Sequence, residues 1–576
     1  MSTEKRKRLS QSGVALWLVI FALVAAACSA GDTEGEGDGT TGTTGTTDTT
    51  TDSAGTTDPG TDTPDDGDEP SRVVIGIPTD QAGLDATVVG TGNTGPCLLG
   101  IFAPLTERGY PPMTSGELLP GIATEFVSSA DGMTWTLTIR DDATFHNGEP
   151  VTAEDVAFSL NLFVSPEYEG SVTQGYVSSV ASADVVDANT VQVNMAEPDA
   201  LLYTSSPRIY VVPQAYYEEV GADGFAQHPI SAGPYKFVEW QPDNVLILEK
   251  HADYFLGEPE IDEVYCRVLP DDASRVAALR AGEIDIAAPL AIEQIPEVES
   301  DPNLQVLVKE SLNRMYITID NTVEPFDQLE VRLAINHAID RQLIINSLLE
   351  GQAHIIPAGL VASLEPGANG ELVPYEYDPD LARQLLADAG YPDGLEGEFG
   401  VLDLVCRDGY GPKTEEVCTV LAEMLGAVGI PVQISIMENT AFETASAEKT
   451  IGPLMYSGHS GGGNFHGQHH LRSTKVCTDR AGEVTTPLNP SAEWGGWYCN
   501  PEVDARVWEA TQIWGSEYER ALELVADAER IVYEDAAAGF LWAQSTAFGV
   551  RQGLNWVPPA RPDYNFFGAS WDNSSG

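Results

Sequence analysis

The segment "MYSGHSGGGNFHGQHH", Met455 to His470, concentrates residue types that do chemistry. Gly458-His459-Ser460-Gly461-Gly462 fits G-x-S-x-G, which in hydrolases exposes a serine on a sharp strand-to-helix turn. His459, His466, His469 and His470 are of the type that most often ligates transition metals. Two chemistries are therefore on offer: acyl transfer through Ser460, or metal coordination through imidazoles. Each demands more than residue type. An elbow needs a helix directly after its serine, and the glycines at 461–463 are poor helix formers. Metal sites favour histidines two or four apart on one strand or helix, with carboxylate or cysteine partners. Here the spacings are seven, three and one, and no acid lies between Thr450 and Arg472. The stretch from Gly461 to His470 is thus expected as a polar loop. No catalytic residue, metal or cofactor is assigned, and the chain is not expected to be an enzyme.

The elements that would position this loop can be read around it. "GPLMYS" supplies a short strand before it. Earlier, "RVVIGI" (72–77) reads as a buried strand, and "TWTLTIR" (134–140) alternates as a half-buried one. Thr152 opens a helix with Asp155 three residues on, in a capping-box position. A hairpin is expected over 184–195, turning at Asp187-Ala188-Asn189, and a strand pair around Pro242-Asp243-Asn244. Strand, helix and strand follow at "EVYCRVL", "DASRVAALRAG" and "IDIAA", then the strand "NRMYITID". Helices are expected at 327–350, 378–389 and 502–538, and one closed by Gly429 precedes another strand. Strands and helices interleave, so the body is α/β.

The N-terminus has the parts of an export signal: Lys5 to Arg8, then the uncharged apolar run Gly13 to Ala27. That run is shorter than the roughly 20 residues a spanning helix needs. "LVAAAC" resembles a lipobox with Cys28 as the lipidated residue, so residues 1–28 are read as a lipoprotein signal peptide. Residues 29–70 are rich in Gly, Thr and Asp, with no aromatic residue and no base. They are read as a disordered tether, because they cannot bury enough apolar surface to offset ordering entropy.

The chain carries a formal charge of −59, of which the signal holds +3 and the tether −12, leaving −50 on the body. Nucleic-acid binding, which needs basic patches, is excluded on that ground. The acidity is read as charge solvation, as in a saline habitat. The body is too long for one core, so two or more lobes are expected. Six cysteines remain after Cys28, an even number in an exported chain, which suggests disulfides. Six allow fifteen pairings. The nearest neighbours are Cys406–Cys418 and Cys477–Cys499, which leaves Cys97–Cys266.

A family resemblance runs through the body. "WTLTIRDDATFHNGEPVTAEDVAFSL" (Trp135 to Leu160) resembles the distinctive segment of family 5 extracellular solute-binding proteins, the oligopeptide-, dipeptide- and nickel-binding components of ABC importers. "SAGPYKFVEW", "HADYFLGEPEIDEVYCRVLPDDASRVAALRAGEIDIA", "PFDQLEVRLAINHAIDRQLII", "YDPDLARQLLADAGYPDG" and "WYCNPEVDARVWEA" resemble further blocks in the family's order, over essentially all of 72–570.

The resemblance implies a two-lobed periplasmic-binding-protein-like fold with a hinge, of the type II, large three-subdomain form. It implies lobe I at 71–110, 229–308 and 540–576, an inserted subdomain at 111–228, and lobe II at 309–539. Such proteins close around ligand by hinge bending. It further implies a monomer, anchored by lipid at the outer face of the membrane or in the periplasm, that delivers ligand to ABC permease subunits.

Within the signature, Trp135 and Phe145 are expected as core anchors, Gly148 as a turn residue and Asp155 as a cap. Arg332 and Asp340–Arg341 are expected as ion-paired helix surface. In the family's peptide binders the region around His459 faces the cleft and reads G-W-x-x-D-Y, its Asp pairing with the ligand's α-amino group. Here glycines occupy that place, which weakens the default of a peptide or peptide-like ligand and leaves a nickel chelate or an oligosaccharide as alternatives. Cleft candidates by position are Tyr456, His459, Ser460, Asn464 and His466, with Asn313, Arg314 and Tyr316 at the crossover between lobes. Asn93, Trp494 and Trp497 complete the set. From another class, an anchored surface serine hydrolase is the competing reading.

Overall fold

The computed structural model describes residues 70–572 except 91–94, 109–117, 200, 357–359, 362–364, 460–466, 476 and 478–496. All of these belong to the unit Asp68–Gly576. Fourteen strands carry the architecture: β1 (Arg72–Ile77), β2 (Ala123–Ser128), β3 (Thr134–Ile139), β4 (Val180–Asp187), β5 (Thr190–Met195), β6 (Tyr235–Gln241), β7 (Val245–Lys250), β8 (Glu263–Val268), β9 (Ile286–Leu290), β10 (Leu304–Ile319), β11 (Leu402–Arg407), β12 (Val432–Met437), β13 (Leu454–His459) and β14 (Ala538–Arg551). Ten of them form one mixed sheet in the order β12-β11-β13-β10-β14-β9-β1-β8-β7-β6, with Ala353–His354 added against β14. β1 is parallel to both neighbours and buried from Val73 to Ile77, as its unbroken apolar run requires. The sheet β2-β3-β5-β4 lies apart, and there Trp135, Leu137 and Ile139 alternate inward along β3.

Several local expectations hold in detail. Thr152 Oγ1 accepts from Asp155 N and the Asp155 carboxylate accepts from Thr152 N, the reciprocal capping box of helix α1 (Ala153–Phe163). Trp135 and Phe145 are buried, and Gly148 takes a positive φ of 85° in a turn. The three disulfides are Cys97–Cys266, Cys406–Cys418 and Cys477–Cys499.

Four expectations change. The strand foreseen at Asn313–Asp320 begins at Leu304 and runs sixteen residues. The helix foreseen over 327–350 is two, α2 (Leu329–Ala338) and α3 (Arg341–Ser347), because Asp340 caps a new start by accepting from Leu343 N at 2.9 Å. Gly467–Thr474, expected within or beside a loop, is helix α4. Arg332 and Arg341 are buried rather than surface ion pairs. Arg332 donates to the carbonyls of Phe326, Asp327 and Asp535, and Arg341 to those of Asn336, Ile339, Tyr375 and Phe540. A guanidinium has five N–H donors, so one side chain can gather several helix-end and strand carbonyls that burial leaves without water. Burial pushes Arg341 down to about 10.

The apolar core is divided. One cluster joins β1, the β2–β5 sheet and residues 548–569. Two others lie around β10: one gathers Met315, Ile317, Leu404 and Tyr456, the other Tyr316, Leu360 and the helices α5 (Pro501–Ile513) and α6 (Tyr518–Glu534). No helix among the described residues is long and apolar enough to cross a membrane.

Candidate ligand-binding region at the strand crossover

β10 and β14 are the long antiparallel strands that connect the β11–β13 side of the sheet to the β1 side. Their pairing comes in two runs. Leu304–Glu310 faces Arg551–Ser545, and Arg314–Thr318 faces Ala543–Ala538. Between the runs, Ser311 to Asn313 has no Cα partner on β14. An interruption of this kind bends a strand and re-aims its side chains. Asn313 is half-buried there, its backbone N–H donating to Ser311 Oγ at 3.1 Å. Around the same crossing, His354 Nε2 lies 2.8 Å from Glu310 Oε1. Gln544 Nε2 and Gln352 Oε1 are buried without hydrogen-bond partners among the described residues. A buried amide left unpaired is costly, so these groups form a polar set poised for a ligand or water.

The residue after the interruption turns inward. Arg314 is fully buried, donates to Leu360 O at 2.6 Å and pairs with the equally buried Glu365. Beside them the Glu529 carboxylate accepts from Val361 N at 3.1 Å and Asn369 N at 2.8 Å. Burial raises Glu529 to about 7; the two backbone donors and Arg314 oppose the rise, and Glu365 adds to it. Arg314, Glu365 and Glu529 thus tie Leu360, Val361 and Asn369 to β10 and α6. Tyr316, two residues on, is also buried and meets the His470 ring edge-on at 6.4 Å. Tyr456 on β13 belongs to the core cluster of Ile317 and Leu404, whereas Tyr316 belongs to that of Leu360. Burial pushes both phenols up.

Gly458 has a packing reason of its own. A Cβ there would strike the Arg314 carbonyl, the Tyr410 ring and the Met315 sulfur. The first glycine of the G-x-S-x-G match is therefore explained by the close approach of β13 to β10. The next described helix, α4, starts at Gly467, seven residues beyond Ser460.

A small cavity of about 20 Å³ lies between β10, β13, helix α7 (Asn439–Ala447) and the end of α4. Tyr316 and Thr318 face it from β10, Met455 and Ser457 from β13, Ser446 from α7, and Lys475 and Trp497 close it. That is room for one water-sized occupant. Trp497 is buried and carries the Lys449 ammonium 4.2 Å from its ring centre. Burial pushes Lys449 down to about 8 against the pull of Asp320.

Of the residues singled out by sequence, Arg314, Tyr316, Tyr456 and Trp497 are buried, and Asn313 sits at the strand interruption. For His459 and His469 only the backbone is described; His459 pairs with Arg314 across the ladder. Cys28, Asn93, Ser460, Asn464, His466 and Trp494 lie outside the described residues. No group of three or more His, Cys, Asp or Glu among the described residues could hold a metal ion. Sequence reasoning missed Glu365, Glu529, His354, Gln352, Gln544 and Lys475. Each comes from a distant segment, and a charged residue in a buried helix face, such as Glu529 in α6, was the one available signal.

An α/β body crossed by two shared strands, with polar groups gathered at the crossing, has the architecture of a two-lobed binding protein. The chain belongs to the bacterial extracellular solute-binding proteins, family 5, whose middle region matches residues 117–474. It is 28% identical over 324 residues to heme-binding protein A of Haemophilus influenzae, covering 52% of this chain and 58% of that protein. It is 27% identical over 429 residues to the glutathione-binding protein GsiB of Salmonella typhi, covering 72% of this chain and 78% of that one. The structure of HbpA2 from Haemophilus parasuis superposes with a TM-score of 0.75 at 21% identity, over 87% of this chain and 100% of that one. These relatives are binding proteins, not enzymes.

Proposed function

We propose that this chain is the lipid-anchored extracytoplasmic receptor of an ABC importer. It captures a peptide-like solute between two lobes and passes it to membrane permease subunits. The family match over residues 117–474 carries the reading. In the scheme, residues 71–110, 229–308 and 540–576 form lobe I, 111–228 its inserted subdomain and 309–539 lobe II. β10 and β14 are then the hinge strands, and the interruption at Ser311–Asn313 is where they flex. Cys28 carries the anchor and residues 29–70 the tether.

Two observations bear on the ligand. A relative that matches most of the chain is named for glutathione, itself a short peptide. No acid stands between Thr450 and Arg472 to receive an α-ammonium group. Of the acids that could substitute, Glu443 is held by Arg407, and Asp403 accepts from Gln433 at 2.6 Å. The ligand is therefore peptide-like but read through groups other than a free N-terminus.

Thermal-shift and calorimetric titration with glutathione, free and N-acetylated short peptides, nickel–histidine, haem and oligosaccharides tests this. Stabilisation by peptides whether acetylated or not is expected. A strict requirement for the free amine, or a response to nickel–histidine, haem or sugar alone, would overturn the ligand reading. Labelling of Ser460 by a fluorophosphonate would overturn the receptor reading itself.

A further inference from the structure

The cavity behind β10 and β13 has the composition of a small-anion site. Lys475 is 2% exposed, yet among the described residues its ammonium makes one hydrogen bond, to Ala537 O at 3.3 Å. No carboxylate among the described residues pairs with it. Its other neighbour is the Tyr498 ring, 5.7 Å from Nζ. A buried ammonium in this position either sheds its proton or gathers negative charge, because uncompensated burial of a cation is expensive. Burial alone lowers it only to about 8, which leaves it charged at neutral pH.

The walls agree with the cation. Thr318, Ser446 and Ser457 all line the cavity, and their hydroxyls make no hydrogen bond to the described residues. Each has a proton to donate and no acceptor for it among the described residues. Phe442, Met455, Trp497 and the Tyr316 ring supply apolar wall, and the hydroxyl of Thr474, which also lines the cavity, is spent on His470 O. One cation, three free hydroxyl donors and apolar walls suit an occupant that accepts from every side and donates nothing. Water would leave the charge unbalanced. Size narrows the class: about 20 Å³ suits a water-sized occupant, which favours a monatomic anion.

We propose that this cavity is a buried halide site, in which a chloride ion is held by Lys475 and the hydroxyls of Thr318, Ser446 and Ser457. The ion neutralises the ammonium and joins α4, α7 and the paired strands β10 and β13 into one polar node.

The mature protein crystallised or soaked in sodium bromide tests it. An anomalous peak in contact with Lys475 Nζ is expected, and its absence would overturn the proposal. In parallel, thermal melts compare chloride with gluconate at fixed ionic strength. Above saturation of the site, Tm should rise by about 1 °C for each tenfold increase in chloride. Lys475→Met should abolish that response and the bromide peak while still melting cooperatively. If this variant does not fold, Ser457→Ala with Ser446→Ala should weaken halide affinity and leave the bromide peak diminished. A bromide peak in a protein whose Tm ignores chloride would mark an adventitious ion only, and would equally overturn it.

Discussion

Replacing Arg314 with Met separates a scaffold role from a ligand role at the crossover. Arg314 and Glu365 are both fully buried, and the guanidinium also holds the Leu360 carbonyl at 2.6 Å. Met fills much of the same volume but leaves the Glu365 carboxylate buried without its counter-charge. Breaking such a pair from one side costs about 3–5 kcal/mol. A body of about 500 residues unfolds with an entropy near 1 kcal/mol per degree, so Tm should fall by about 3–5 °C. The paired change Arg314→Met with Glu365→Leu removes both charges and should recover most of that loss. The assay is calorimetry on wild type, both single variants and the double, read as a double-mutant cycle. Glu529 serves as an internal reporter, because Arg314 holds its carboxyl down and Glu365 pushes it up. Arg314→Met should therefore raise the Glu529 titration further. An Arg314→Met protein that melts within 1 °C of wild type but no longer binds solute would refute the reasoning. It would make Arg314 a ligand contact.

Glu529→Gln should alter the pH dependence of stability. The folded carboxyl titrates near 7 against an ordinary 4.5, so the folded state binds the proton more tightly than the unfolded chain. Stability therefore falls as pH rises from about 4.5 to about 7 and is level above, with a total on the order of 3 kcal/mol. Gln should flatten that window in denaturant titrations at several pH values; an unchanged slope would assign it to other groups. Cys97–Cys266 closes 169 residues and Cys406–Cys418 only 12. Loop-closure entropy then gives about 5 and about 3 kcal/mol, so replacing the first pair by Ala should lower Tm more in scanning calorimetry. The opposite order would place the effect in local packing. Arg472 Nη1 lies 2.9 Å from Asp199 Oδ1, joining α4 to the end of the β4–β5 segment, with the Asp199 side chain 2% exposed. Arg472→Ala should raise the radius of gyration in small-angle scattering and weaken solute binding together. Weaker binding at constant radius would make Arg472 a ligand residue.

Much of the scaffold was legible because short-range physics sets it. The capping box at Thr152, the hairpin turn at Ala188–Asn189 and the alternation along Trp135–Ile139 each depend on a few neighbouring residues. The disulfide pairing followed from spacing in an exported chain. What escaped was decided at long range. Leu304–Glu310 reads as an ordinary amphipathic stretch, and only β14, more than 200 residues on, makes it the first half of a sixteen-residue strand. Arg332 and Arg341 look like helix surface until the carbonyls of Asp535 and Phe540 are brought against them. The crossover set fails to announce itself for the same reason. Gln352, His354 and Gln544 are unremarkable residues in separate segments, and Lys475 is distinguished by its burial, which no local pattern encodes. The histidine-rich segment drew attention by composition. The structure accounts for Gly458 and Gly467 there by close packing against Met315 and Val361, not by chemistry.

The path of β14 has a consequence for the order in which the chain becomes a protein. After crossing the sheet it carries the C-terminal residues back to the beginning. Phe548, Val550, Leu554, Trp556, Tyr564 and Phe566 pack in the same cluster as Val73 and Ile75. Tyr564 N donates to Pro96 O, and Trp571 Nε1 donates to Arg72 O. The compartment synthesised first thus lacks part of its interior until the last thirty or so residues arrive, whereas the compartment around β11–β13 draws on nothing beyond Trp542. A chain emerging N-terminus first completes its later half earlier.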